Sequence, residues 1–212
     1  MNNKLEKLDD IKEIRALMER SSLFLSLSGI AGIIVGILAF LGVTAVYVFL
    51  GVSPTAPGYY ELYIDGSADE RRSFYVFLFS DFTLVLILSL CIGVLFAAQK
   101  AQKQKLPIWD ATAKRLLVNM FIPLVAGGLF CLILFYHGNL ALIAPCTLIF
   151  YGLALLNASK YTINDIRNLG LIELLTGLVA ALFIDYGMLL WLFGFGILHI
   201  VYGTTIYFKY ER

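Results

Sequence analysis

The chain predicts an all-α integral membrane protein, and three observations carry that expectation. Apolar residues make up 60% of its 212 positions and charged ones only 15%, too few charges to clothe a soluble globule of this length. The apolar residues gather into six stretches, at 22–50, 74–98, 116–136, 140–157, 169–186 and 188–208, each close to the roughly 20 residues a helix needs to cross a bilayer. Short polar connections separate them, and lysine and arginine are distributed unevenly among those connections.

Taken in order, residues 1–21 form a lead-in and residues 22–212 a six-helix bundle. In the lead-in, Leu5, Leu8, Ile11 and Ile14 recur every three residues and are followed by Leu17 and Met18, with lysines and carboxylates between. That pattern predicts an amphipathic helix lying on the inner membrane face or against a partner protein; the plainer alternative is a solvated segment that orients the first span. Ser21 and Ser22 are suitable caps for the first membrane helix. The first apolar run follows a mixed-charge segment, is too long for a signal peptide and has no evident small-residue cleavage site. Gly29, Gly32 and Gly36 give that helix a small-residue face for close packing, within the chain or in a homo-oligomer. The outer loop, 51–73, carries Pro54, Pro57, Tyr59, Tyr60 and Tyr63 among acidic residues. Its tyrosines read as interface anchors or, more specifically, as a lip that senses or docks a ligand.

Orientation follows from the basic residues. Lys100, Lys103, Lys105, Lys114 and Arg115 flank the second connection, Lys160 and Arg167 the fourth, and Lys209 and Arg212 the C-terminal end. The intervening turns at 137–139 and 186–187 contain no lysine or arginine, and Arg71 and Arg72 are opposed by Glu61, Asp65, Asp69 and Glu70. The positive-inside rule therefore predicts that both termini face the cytoplasm, in a bacterial inner membrane. A net charge of +1 gives no reason to expect a nucleic acid partner.

A repeat emerges when the turns are aligned. Gly32 and Gly42, Gly128 and Gly138, and Gly177 and Gly187 are each ten residues apart, and the second and third units continue into Tyr151–Gly152 and Tyr202–Gly203. The expectation is three helical hairpins related by an axis along the membrane normal. Residues 124–158 and 174–208, each a glycine, an apolar run, a tight turn and a glycine-containing second helix, resemble the HdeD-like short-repeat membrane proteins, a bacterial family of six helices in three hairpins. The resemblance implies a stress-related inner-membrane protein. The chain departs from it in its enlarged first hairpin and in having His137 and Asp185, rather than proline, near the later turns.

Ionisable groups within apolar spans are expensive and are therefore functional suspects. Four stand out as candidates for binding a ligand or a proton: Glu173, His199, Asp81 and Asp185. Glu173 lies 13 residues before Tyr186 and His199 13 after it, which puts both about 20 Å down antiparallel helices at 1.5 Å per residue. The pair reads either as a site for a proton or small solute or as an interhelical hydrogen bond that fixes packing. Asp81 and Asp185 are placed at the outer mouth of such a site, where hydration alone would also account for them. Asn119 and Asn157, each 19 residues from Gly138, are expected to meet as a structural contact. Cys91, Cys131 and Cys146 all lie in apolar spans without CxxC spacing and read as buried hydrophobes. His137 and His199 differ in depth by roughly 18 Å, which excludes them as the two ligands of one haem within a monomer, and neither has a second metal ligand at binding spacing. With no hydrolase, zinc-protease or nucleotide-binding motif, the expectation is a non-enzyme without cofactor or metal. It would act in stress or envelope homeostasis by binding or moving a small solute or proton. The alternative is a membrane sensor or scaffold working through its N-terminal helix.

Overall fold

The computed structural model describes residues 27–51, 66–105 and 109–212, and these form helices joined by turns, with no strand among the described residues. The first helix is α1, Gly29–Leu50, followed by α2, Ala68–Lys103, and α3, Ala111–Tyr136. Next come α4, Ile143–Ala158, entered and left through single 3₁₀ turns, and α5, Asp165–Leu182. The last, α6, is the continuous run Ile184–Tyr210, whose middle, Leu192–Leu198, is wound as a π-helix. Five of these segments are long and apolar enough to cross a bilayer: α1, α2, α3, the run Leu140–Tyr161 that contains α4, and α6. This is an all-α protein with the character of a multi-pass membrane protein. Helix α5 is outside that group: its 18 residues, about 27 Å of helix, include Asp165, Arg167 and Glu173.

Local chemistry explains where the helices end, and it shifts several expected boundaries. Leu27 and Ser28 are not helical, so α1 starts at Gly29, not at residue 22. It stops at Gly51, whose φ of 66° is the left-handed geometry glycine adopts freely. Helix α2 takes in the last six residues of the expected outer loop, because Ser67 and Glu70 close a reciprocal capping box: the Glu70 N–H donates to Ser67 Oγ at 3.3 Å and the Ser67 N–H to Glu70 Oε2 at 2.8 Å. Asp110 caps α3 by accepting the Ala113 N–H at 2.7 Å. Residues 5–18 of the expected amphipathic helix and 52–65 of the outer loop lie outside the described residues.

Glycines determine which helices touch most closely. A Cβ at Gly29 would lie 2.4 Å from the Gly203 carbonyl, and one at Gly203 would lie 2.6 Å from the Ile33 nitrogen, so the backbones of α1 and α6 nearly meet. Helices α4 and α5 do the same at Gly152 and Gly170, where a Cβ on Gly170 would sit 2.9 Å from the Gly152 carbonyl. The closest seams thus join different hairpins, α4 to α5 and α6 to α1, as well as partners within one. Helix α2 is peripheral. Phe49 and Phe77 stack at 4.0 Å to hold it to α1, and Phe135 of α3 meets the rings of Tyr75 and Phe79 edge-on. Its outer face, with Leu86 and Val94, and that of α3, with Ile122 and Leu132, are exposed, as lipid-facing positions would be.

One end of the bundle is fastened by charge. Glu211 Oε1 accepts from the Gly29 N–H at 2.8 Å and from Lys100 Nζ at 2.9 Å, while Lys100 also donates to the Leu27 carbonyl. One carboxylate therefore ties the starts and ends of α1, α2 and α6 together. On the same end, Asp165 accepts from Lys209 Nζ at 2.9 Å and from the Tyr210 hydroxyl at 2.7 Å, joining the start of α5 to the end of α6.

Candidate functional site

Glu173 and His199 come together as the residue count requires, with Glu173 Oε1 3.4 Å from His199 Nδ1. A third residue joins them from α4. The Tyr151 hydroxyl is 2.8 Å from His199 Nε2, so the site draws one side chain from each of α4, α5 and α6. His199 Nδ1 is also 3.1 Å from the Gly194 carbonyl. A carbonyl can only accept, so Nδ1 carries a proton, and Nε2 of the neutral ring then accepts from the Tyr151 hydroxyl.

The π-helical winding of α6 lies directly beside this arrangement. Gly194 is inside the wide turn Leu192–Leu198, and its carbonyl is reached by a side chain five residues further on. Wide turns of this kind are frequent at functional sites. Gly194 also has to lack a side chain, because a Cβ there would lie 2.5 Å from Glu173 Oε2 and 2.5 Å from Leu148 Cδ2. The carboxyl group rests on bare backbone. Glu173 is wholly buried, and neither of its oxygens has a hydrogen-bond partner.

Aromatic rings surround the imidazole. Phe195 stacks on it at 5.8 Å, Tyr151 lies against it at 5.5 Å, and Trp191 continues the column at 4.6 Å from Phe195. Trp191 Nε1 donates to Thr147 Oγ1 at 3.1 Å, and Phe82 of α2 meets the Trp191 ring edge-on. The Tyr151 and Phe195 rings are themselves only 4.9 Å apart, so both pack on the same side of the imidazole, whose Nδ1 edge lies between the Gly194 carbonyl and Glu173.

The other expected site residues lie elsewhere. Asp81 belongs to the α1–α2 seam, where it faces Gly42 and its Oδ2 lacks a partner. Asp185 lies in the 3₁₀ turn Ile184–Tyr186, 12 residues and about 18 Å from Glu173. Neither is recorded in contact with Glu173 or His199 among the described residues. Asn119 and Asn157 do meet, but through the backbone: Asn157 Nδ2 donates to the Asn119 carbonyl at 3.3 Å, while the Asn119 amide bonds Arg115 O at 2.8 Å. Cys131 and Cys146 are neighbours across α3 and α4 and remain free thiols.

Tyr151 was missed as a site residue, yet the count that paired Glu173 with His199 would have found it: Tyr151 is 13 residues after Gly138, at the same depth. At the charged end, burial alone would raise the Asp165 carboxyl, but the hydrogen bonds from Lys209 and Tyr210 outweigh it and hold the group below the usual carboxylate range.

No family model, curated protein or solved structure matches this chain. The resemblance to the HdeD-like proteins thus gains no support from them, and the site's own chemistry carries the functional argument.

Proposed function

We propose that this is a small membrane protein, crossing a bacterial inner membrane six times with both termini inside, that binds or moves a proton or small polar solute at Glu173, His199 and Tyr151. In this reading α5 is the sixth crossing, with Glu173 enclosed between α4 and α6 and with Asp165 and Arg167 at its end. The observation that carries the proposal is the Glu173 carboxyl: wholly buried, between helices, with neither oxygen hydrogen-bonded. A group used only to fasten helices would be expected to have its partner in place, since an unpaired buried carboxylate costs several kcal/mol. A carboxyl left open beside a hydrogen-bonded His–Tyr pair has capacity for something that arrives and leaves.

The test is a comparison of wild type and Glu173→Gln, each purified and reconstituted in lipid vesicles. Proton uptake on acidification is expected to fall by about one proton per chain in the variant, with helicity unchanged. Identical titration and identical vesicle flux in the two proteins would remove Glu173 from function. The charged end and the N-terminal segment would then become the places to seek a scaffold role.

A further inference from the structure

We infer that the species taken up at this site is the proton itself, and that it reaches Glu173 through the Tyr151 hydroxyl and the His199 ring. The inference rests on Glu173 being a binding site, and it names what is bound and by which route.

Close packing beside Glu173 favours the smallest species. A small-molecule site needs a pocket of hundreds of Å³, and even one water needs a void of about 10–15 Å³ with several polar partners. Beside Glu173 the helices approach closely in two places. Where the carboxyl meets α6, a methyl group at Gly194 would already collide with it. Where α5 meets α4 just beside it, a Cβ at Gly177 would sit 2.8 Å from the Ile149 nitrogen and 3.0 Å from Leu148 Cβ. Leu148 itself is fully buried. Two cavities, about 340 and 110 Å³, open at the charged end beside Lys100 and Tyr210, and neither is lined by Tyr151, Glu173 or His199.

The route is a set of adjoining atoms. Tyr151 is less enclosed than Glu173 and His199, so the route enters at the phenol. A hydronium ion there gives a proton to the Tyr151 oxygen as the phenol's own proton moves to His199 Nε2, across the 2.8 Å hydrogen bond. The proton on Nδ1 then moves to Glu173 Oε1. The O–H bonds of hydronium and phenol and the Nδ1–H bond break; new O–H bonds form on Tyr151 and Glu173, and an N–H bond on Nε2. Water, a neutral phenol, a neutral imidazole with its proton on Nε2 and a neutral carboxylic acid result. The Nδ1–Oε1 separation of 3.4 Å has to shorten by a few tenths of an ångström to become a good hydrogen bond. In the proposed step, a tilt of the ring from Gly194 towards Glu173 closes this gap. Running the steps backwards releases the proton by the same path. Among the described residues, the titratable groups recorded near Glu173 are His199 of α6 and Tyr151 of α4.

The experiment is infrared difference spectroscopy on the full chain in lipid nanodiscs. It follows the C=O stretch of a protonated carboxylic acid, with Glu173→Gln used to assign the band. After a switch from H2O to D2O, Tyr151→Phe and His199→Gln are expected to slow exchange of that band roughly a hundredfold, in line with the usual loss when a proton-transfer group is removed, while the band itself persists. Unchanged exchange rates in both variants would overturn the route. A band that shifts on adding acetate, glycine or ammonium would overturn the proton as the species bound. A spectrum in which Glu173→Gln changes nothing would instead defeat the underlying reading of Glu173 as a site. Tyr151→Phe keeps the ring and its contacts; should it fail to fold, nitrogen NMR of histidine-labelled wild type reads the same step. Acidification should move the His199 proton from Nδ1 to Nε2, and a fixed tautomer would refute the relay.

Discussion

Replacing Gly152 by alanine tests whether backbone-to-backbone packing of α4 on α5 holds the site together. The added Cβ would lie 2.6 Å from the Leu174 nitrogen, 2.7 Å from the Gly170 carbonyl and 2.9 Å from Leu174 Cα. All three are backbone atoms, so no side chain can turn aside. Comfortable contact is about 3.5–4.0 Å, which requires the two helices to separate by roughly 1 Å along a seam that otherwise has interior density. Overpacking of this kind costs about 1–3 kcal/mol. Alanine also favours helix over glycine by about 1 kcal/mol, and a matched control removes that contribution: at Gly128 nothing lies within 4 Å of the new methyl group. Gly152→Ala should therefore be less stable than Gly128→Ala by about 1–3 kcal/mol, read from reversible unfolding in mixed micelles followed by tryptophan fluorescence. Unfolding of both variants at the same denaturing-detergent fraction would show that the close approach carries no weight, and the reasoning would fail.

Other consequences follow from the charged end and the aromatic column. Glu211→Ala leaves Lys100 and the Gly29 N–H without their shared acceptor and should cost about 1–3 kcal/mol. A double-mutant cycle with Lys100→Met should show coupling, and strict additivity would deny that the two act together. The Asp165 carboxyl lies below its usual range in the folded protein, so its contribution is complete above the unfolded value and disappears as pH falls through the lower folded value. The stability gap between wild type and Asp165→Asn, about 0.5–1 kcal/mol for so exposed a partner as Lys209, should be flat above about pH 5 and close below about pH 4; a gap that widens with acid would reverse the assignment. Trp191→Phe removes the hydrogen bond to Thr147 and should cost about 1 kcal/mol. The same loss is expected in Thr147→Val and no further loss in the double variant.

The sequence made the helical class legible because bilayer thickness imposes a length and a polarity on each span, and both show in composition. Depth was legible as well. Counting at a fixed rise per residue from the hairpin turns placed Glu173 beside His199 and Asn119 beside Asn157, since antiparallel helices that share a turn keep their register. Lateral position was harder to read. Asp81 lies against Gly42 of α1 rather than near Glu173 because the direction in which a helix presents a residue depends on which neighbour it packs against. Nothing in the spacing of glycines revealed that α6 would lie along α1. The same gap hid the Lys100–Glu211 contact: Lys100 counts as a marker of membrane orientation until the ends of α1, α2 and α6 are known to converge. The extension of α2 through residues 68–73 was readable, since Ser67 and Glu70 carry the spacing of a capping box, but the acidic and arginine content of that stretch made it look like loop.

Tight packing and an unpaired carboxyl in one place are connected by Gly194. A glycine at that position lets α6 approach α5 closely enough for Glu173 to rest on backbone, and the wide turn that contains it offers its carbonyl to His199. Any larger residue there would push the carboxyl away or force the helices apart, and either movement would change the 3.4 Å gap between Glu173 and His199. The ring therefore has two acceptors within reach and one proton on Nδ1 to share between them. While Glu173 is ionised the ring keeps its Nδ1 proton and donates it to Gly194; once that proton has passed to Glu173 the ring carries its proton on Nε2 and the bond to Gly194 is lost. The hydrogen bonding of the π-helical turn is thereby coupled to the protonation of Glu173 on a neighbouring helix.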